Sequence, residues 1–204
     1  MSSLTLDLPR LDLRNFVFVR HGETDANQNG IIAGVIEAEL SQKGKDQARA
    51  LYPRLKHWNP DHVYVSPQGR AVETARLALR YGVEKYDAGF DEERDHFHLC
   101  DGLRERNWGV FEGKSQSQLP DRFGTPEGGE GFEEVYIRVI TAINDIPKTV
   151  ELPLLICHSG VYRALLWATG GDVQGPSVRN ATPVKFSHDP ERLGQGKWLV
   201  EQEF

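Results

Sequence analysis

Cysteine is nearly missing from this chain: 204 residues hold two, Cys100 and Cys157, beside a single methionine. Two unpatterned thiols cannot build the disulfide framework of a small secreted domain. Cys157 lies in the apolar run LPLLIC, where a buried strand thiol is expected. A reducing, cytoplasmic setting is therefore the expectation. Positive charge is also scarce. Twenty-four Lys and Arg face thirty Asp and Glu, a formal charge of −6, and no basic run exists to track a nucleic-acid backbone. No apolar stretch approaches the length of a membrane span. The opening MSSLTLDLPRLDLR carries Asp7, Pro9, Arg10 and Asp12, which interrupt any signal-peptide apolar region. Neither nucleic acid nor membrane is expected as a partner, and residues 1–14 read as a tail or an added edge element.

What is present is an ordinary globular composition, 39% hydrophobic and 26% charged, with length for one well-buried core. One domain over 1–204 is expected. NFVFV, HVYVS and LPLLICHS read as short strands, the first buried on both faces. Between the first two, Ala48, Leu51, Leu55 and Trp58 repeat at helical spacing behind a Ser41 N-cap, with a kink expected at Pro53. Ser66 and Pro67 predict the start of a second helix, cap then proline, with Val72, Ala75 and Leu79 as its apolar stripe. Phe132, Val135, Val139, Ile143 and Ile146 mark a third, and HSGVYRALLWATGG a fourth that stops at its glycine pair. The last segment reads as two strands around the polar turn DPERLGQG. Alternating strand and helix imply a mostly parallel α/β sheet covered on both faces. Ligands of such sheets bind beyond the carboxyl ends of the strands. DRFGTPEGGEGFEE, rich in glycine, is the loop expected to move.

Four pieces of chemistry fall at or near those ends: Arg20-His21-Gly22-Glu23-Thr24 with Asn27, then Arg70, Glu105 and His158. Two guanidiniums match the oxygens of a dianionic phosphate. A histidine can attack phosphorus if one ring nitrogen is held unprotonated, a state that a hydrogen bond from the other nitrogen would fix. A carboxyl group can protonate the departing oxygen. Gly22 leaves room for backbone close to a ligand, and Asn27 offers an amide donor. The arginines and second histidine supply positive charge, so no metal and no cofactor is expected.

In this order, RHGETDANQNGIIAG, LSQKGKDQA, SPQGRAVETA, LRERNWGVFEG and HSGVYRAL resemble the histidine phosphatase superfamily, in its phosphoglycerate-mutase-like branch, over roughly residues 15 to 188. The resemblance implies a three-layer α/β/α sandwich. It implies His21 as phosphoryl acceptor, with Arg20, Arg70, Asn27 and His158 holding the phosphate and Glu105 as proton donor and then base. It also implies a leaving-group side formed near Ala33-Gly34, Asn107-Trp108 and Ser159-Gly160, with Gly22, Glu23 and Thr24 close to substrate. Two positions depart from the pattern: Ser159 stands where the family usually has glycine, and Gly131 where it often has serine. A positive φ at Ser159 would be penalised; otherwise its hydroxyl is one more donor.

Other readings bear on single residues. Glu112 is a rival acid that fits better as a structural group before Gly113. His96, His98 and Cys100 alternate along HFHLC, a spacing metals can use, yet no fourth ligand is evident and no metal site is predicted. Phe97 and Leu99 are expected to pack inward with the histidines outward, or the reverse at a sheet edge. His57, His62 and His188 read as surface. The function expected is hydrolysis of a small phosphorylated substrate. A phosphoglycerate-type mutase is the alternative, and a non-catalytic phospho-ligand binder a third. The stretch from Glu105 to His158 lacks the long insertion of the family's mutases, which favours hydrolysis.

Overall fold

The computed structural model describes residues 8–12, 15–79, 97–119, 121–188 and 198–202. Six strands form one sheet: β1 Asn15–Arg20, β2 Val63–Val65, β3 Phe97–Leu99, β4 Leu154–Cys157, β5 Pro183–His188 and β6 Trp198–Gln202, ordered β3-β2-β4-β1-β5-β6. β1, β4, β2 and β3 run parallel, and β5 and β6 join antiparallel. The helices are α1 Asp25–Gln28, α2 Gln42–Ala50, α3 Tyr52–Trp58, α4 Gly69–Ala78, α5 Phe132–Asn144 and α6 Ser159–Thr169.

β1 shows why the sheet is covered twice. Its side chains alternate faces. Phe16 and Phe18 join one core cluster with Val135 and Val139 of α5 and Val161 and Leu165 of α6. Val17 and Val19 join another with Leu51, Leu55 of α3, and Ala71 and Ala75 of α4. The result is the expected three-layer α/β/α sandwich. Among the described residues, no helix is long and apolar enough to cross a membrane.

Several local expectations are corrected. Ser41 does cap α2, its Oγ accepting from Gly44 N at 3.1 Å, but the helix breaks at Leu51 and Pro53 sits in the first turn of α3. A proline is tolerated there because first-turn N–H groups lack helical partners. α4 begins at Gly69 rather than at Ser66-Pro67. The Ser66 hydroxyl is instead paired with His158. α6 does stop at its glycine pair as expected, with Gly170 at a φ of 75° turning the chain left-handed. On the edge strand β3, Phe97 is buried but Leu99 is half exposed, so the two do not share an inward role. His62 is not a bare surface residue: its Nδ1 lies 3.0 Å from Nε2 of His98, with the rings stacked. The turn between β5 and β6 and His96 lie outside the described residues. No cluster of three or more His, Cys, Asp or Glu suited to a metal occurs among the described residues.

The loop after β1 lies directly against the first turn of α2. A Cβ on Gly22 would come within 2.5 Å of the Gly44 carbonyl oxygen, and one on Gly44 would overlap the carbonyl oxygen of Glu23. Gly22 thus makes room for the backbone of Gly44. Gly44→Ala should lower stability by about 1–3 kcal/mol through forced backbone displacement. A urea unfolding series reads this, and an unchanged midpoint would contradict the close packing.

Candidate active site

At the carboxyl end of β1 the chain leaves the sheet with His21, whose N–H still bonds the Cys157 carbonyl at 2.9 Å. The same end of β4 delivers His158, and that of β2 delivers Ser66. Parallel pairing of β1 with β4 and β4 with β2 sets these three exits side by side. The rings of His21 and His158 have centroids 5.2 Å apart.

Nδ1 of His21 lies 2.7 Å from the Gly22 carbonyl oxygen. A carbonyl only accepts, so Nδ1 carries the proton. In a neutral ring, Nε2 is then left with its lone pair. Neutrality is enforced by surroundings: burial, then Arg20 and Arg70, push the His21 pKa well below its usual 6.5. His158 is driven the same way by burial, then by Arg70, His21 and Arg20. Its Nε2 meets Ser66 Oγ at 2.7 Å. Its Nδ1 is buried without a hydrogen-bond partner among the described residues, as is Nε of Arg20. A buried polar atom without a partner is costly, so neither group is at its electrostatic optimum.

The guanidiniums are held by backbone carbonyls. Arg20 Nη1 donates to Val178 O at 2.8 Å. Arg70, 2% exposed in the first turn of α4, donates from Nη2 to Gly34 O at 2.6 Å and from Nη1 to Ile36 O at 3.1 Å. Burial lowers the pKa of both, opposed by Glu105. A cation at a helix N-terminus is otherwise unfavourable, and these carbonyls offset part of that cost. Asn27 and the N-cap Thr24 exchange hydrogen bonds at 3.2 Å. Asn180 also donates to Asn27 Oδ1, leaving Nδ2 of Asn27 as its donor toward the cavity.

Glu105 lies opposite, 8% exposed. Its Oε1 accepts from Arg106 N and Gly160 N, each at 2.9 Å, and its Oε2 from Ser159 Oγ at 3.0 Å. Its own N–H is held by Gln68 Oε1 at 2.7 Å. Ser159 has no positive φ, so the serine is unstrained and acts as a donor. Gly131 is the N-cap of α5, its N–H bonded to Glu134 Oε2 at 2.6 Å.

These groups enclose a cavity of about 300 Å³. Arg20, His21, Asn27, Arg70 and Glu105 line it, with Thr24, Ala33, Gly34, Trp108 and Ser159 around them. His158 sits behind this wall with no exposed surface. Gly22, Glu23 and Asn107 do not line it. Glu23 is engaged by Lys43 and Gln28, each at 2.8 Å. Asn107 braces its loop through Glu130 and Gly109. Glu112 holds Val35 N and Trp108 N on Oε1, a structural post as expected.

Sequence reasoning missed Ser66, Gln68, Thr74 and Asn180. Each fixes a site group: His158, Glu105, the Gly22 N–H (2.9 Å) and the His21 carbonyl (2.9 Å), respectively. Ser66 carried a usable signal, since it directly follows a strand. Asn180 precedes β5, which is antiparallel, and so reaches the same end of the sheet by its other terminus. Arg106, Arg122 and Arg163 also line the cavity and had been passed over.

The chain is similar to several known proteins. The family model described as histidine phosphatase superfamily (branch 1) matches residues 16–193. Phosphoglycerate mutase-like protein 4 of Arabidopsis thaliana is 31% identical, over 98% of this chain and 89% of its own length. A metal-independent phosphoserine phosphatase of the same plant is 32% identical, over 93% and 81%. The crystal structure of a phosphoglycerate mutase from Thermus thermophilus superposes with a TM-score of 0.70 at 28% identity, over 93% of this chain and 99% of that one.

The buried neutral histidines make stability depend on pH. Below about pH 6.5 the unfolded chain takes up protons that folded His21 and His158 refuse. Stability is therefore complete above that pH and falls below it, by about 1.4 kcal/mol per histidine per pH unit. Urea midpoints between pH 7 and 5 should show this fall, and His21→Gln should make it shallower. An equal slope in the variant would contradict a neutral His21.

Proposed function

The chain belongs to the histidine phosphatase superfamily, and on that premise we propose that it is a metal-independent phosphatase acting on a small phosphate monoester through a phosphohistidine at His21. One observation carries the reading. The His21 ring, its Nδ1 spent on the Gly22 carbonyl, shares a cavity with the guanidiniums of Arg20 and Arg70 and the carboxyl group of Glu105. In the first step Nε2 of His21 bonds to phosphorus as the ester P–O bond breaks. Arg20, Arg70 and Asn27 hold the phosphoryl oxygens, His158 backs them from behind the wall, and Glu105 gives its proton to the leaving oxygen. In the second step water bonds to phosphorus, Glu105 takes the water's proton, and the N–P bond breaks to free His21. Catalysis of this kind rests on positioning and charge stabilisation.

The mutase alternative shares the first step and differs in the acceptor, a second hydroxyl replacing water. Relatives named as phosphoglycerate mutases support keeping it. The short segment between Glu105 and His158 supports water as acceptor. Binding without turnover would mark the third reading, a phospho-ligand binder.

p-Nitrophenyl phosphate should be hydrolysed without added metal and in the presence of EDTA. Enzyme quenched during turnover should carry acid-labile phosphate that His21→Ala lacks. Glu105→Gln should lose about 10²–10⁴-fold on alkyl phosphates and far less on p-nitrophenyl phosphate, whose leaving group needs no proton. Equal losses on both would remove the acid role from Glu105. A Cβ on Gly160 would overlap Oε1 of Glu105, so Gly160→Ala should cost about 10²-fold on alkyl phosphates with the fold retained by circular dichroism.

A further inference from the structure

Gln68 stands at the N-cap of α4, yet its side chain makes no capping hydrogen bond. It is 4% exposed and is spent elsewhere. Its Oε1 accepts from the Glu105 N–H at 2.7 Å, and its Nε2 donates to the Gly34 carbonyl oxygen at 3.0 Å. These partners fix which way round the amide sits, since an N–H only donates and a carbonyl only accepts. The Gly34 carbonyl also accepts from Nη2 of Arg70 at 2.6 Å. One buried amide thus joins the main chain of Glu105 to the carbonyl that holds Arg70. Gln68 does not itself line the cavity.

Other contacts tie the same loop down without reaching the acid. Gly69 N donates to Glu37 Oε2 at 3.0 Å, and Arg70 Nη1 to Ile36 O at 3.1 Å. Glu112 joins Val35 to Trp108. Of these contacts, that of Gln68 alone ends on Glu105. Its chemistry is also particular: a primary amide, or a protonated carboxyl group, accepts and donates from one planar end. A hydrocarbon side chain there would strip the buried Glu105 N–H of this partner, at a cost in free energy. The segment 66–70 therefore serves three site groups: Ser66 pairs with His158, Gln68 with Glu105, and Arg70 faces the cavity itself.

Resting on the phosphatase reading, we propose that Gln68 is a positioning residue for proton transfer, setting the distance between the Glu105 carboxyl group and the phosphoryl group held by Arg70. A displacement of about 1 Å at such a site can cost about 10²-fold in rate. The phosphate grip outlasts the loss of Gln68, because Arg70 keeps its own bonds to Gly34 O and Ile36 O. Proton donation does not, because the main chain of Glu105 loses its tether. The effect falls on leaving groups that need a proton and spares those that leave as stable anions.

Gln68→Leu and Gln68→Met remove the amide while keeping an apolar side chain in the space. In both, kcat on an alkyl phosphate should fall roughly 10- to 100-fold, against at most about threefold on p-nitrophenyl phosphate, with KM little changed. The ratio of the two rates on one sample does not depend on how much of it is folded, so it reads positioning even in a less stable variant. Gln68→Glu supplies the rescue. Its protonated form offers the same acceptor and donor, whereas its ionised form sets a carboxylate oxygen against the Gly34 carbonyl. Relative to the unsubstituted protein, its alkyl-to-aryl ratio should rise as pH is lowered from about 8 to about 5.5, as burial favours the protonated carboxyl group. Equal losses on both substrates in Gln68→Leu, or a Gln68→Glu ratio that matches Gln68→Leu at every pH, overturns the positioning role and leaves the phosphatase reading intact. Absence of turnover of either substrate by the unsubstituted protein overturns both.

Discussion

The hydrogen bond from Nδ1 of His21 to the carbonyl of Gly22, 2.7 Å long, is the constraint on which the site depends. It joins two adjacent residues, so it needs no distant element to form. It selects the tautomer that leaves Nε2 with a lone pair. Yet a tautomer is useful only if the ring stays neutral, and that is a property of the whole fold. Burial and the guanidiniums of Arg20 and Arg70 provide it. The same positive charges that keep the imidazole neutral also suit them to grip a phosphoryl group. One electrostatic arrangement serves both purposes.

Concentrating so much positive charge in a protein interior is unfavourable unless each group finds partners. The fold answers with main-chain carbonyls rather than with carboxylates. Arg20, Arg70, Arg106 and Arg163 all donate to backbone oxygens. Carbonyl dipoles position a guanidinium without cancelling its charge. The net positive field is thus kept for a ligand. Glu105, the one acidic side chain in the cavity wall among the described residues, is itself held by backbone N–H groups and by Ser159.

The glycine-rich stretch read as a mobile loop is tied down by this scheme. Three carbonyls between residues 122 and 130 accept from Arg106, and the N–H of Val110 reaches Glu127 O at 3.0 Å. Composition pointed to freedom because glycine was counted as flexibility. Gly109 has φ of 53°, and a Cβ there would overlap the Glu127 carbonyl, so glycine serves close backbone approach. A buried arginine cannot be told from a surface arginine by its letter alone.

The order of strands and helices, the alternation along β1 and the positions of Arg20, His21, Asn27, Arg70, Glu105 and His158 were legible in the chain itself. They follow from local periodicity and from the rule that parallel sheets gather ligands at strand ends. Helix boundaries were less legible: Ser66 looked like a cap because a hydroxyl before proline often is one, whereas here it serves His158. Gln68 and Asn180 gave no usable signal. Their importance comes from what they touch across 37 or 159 positions of chain, Gln68 to Glu105 and Asn180 to His21. The sequence alone therefore determined the layers of the fold and named the side chains that converge at their strand ends. Tertiary structure decided which carbonyls hold each arginine at the cavity and which polar groups back the site, because hydrogen-bond partners are set by distance in space, and no spacing along the chain encodes that.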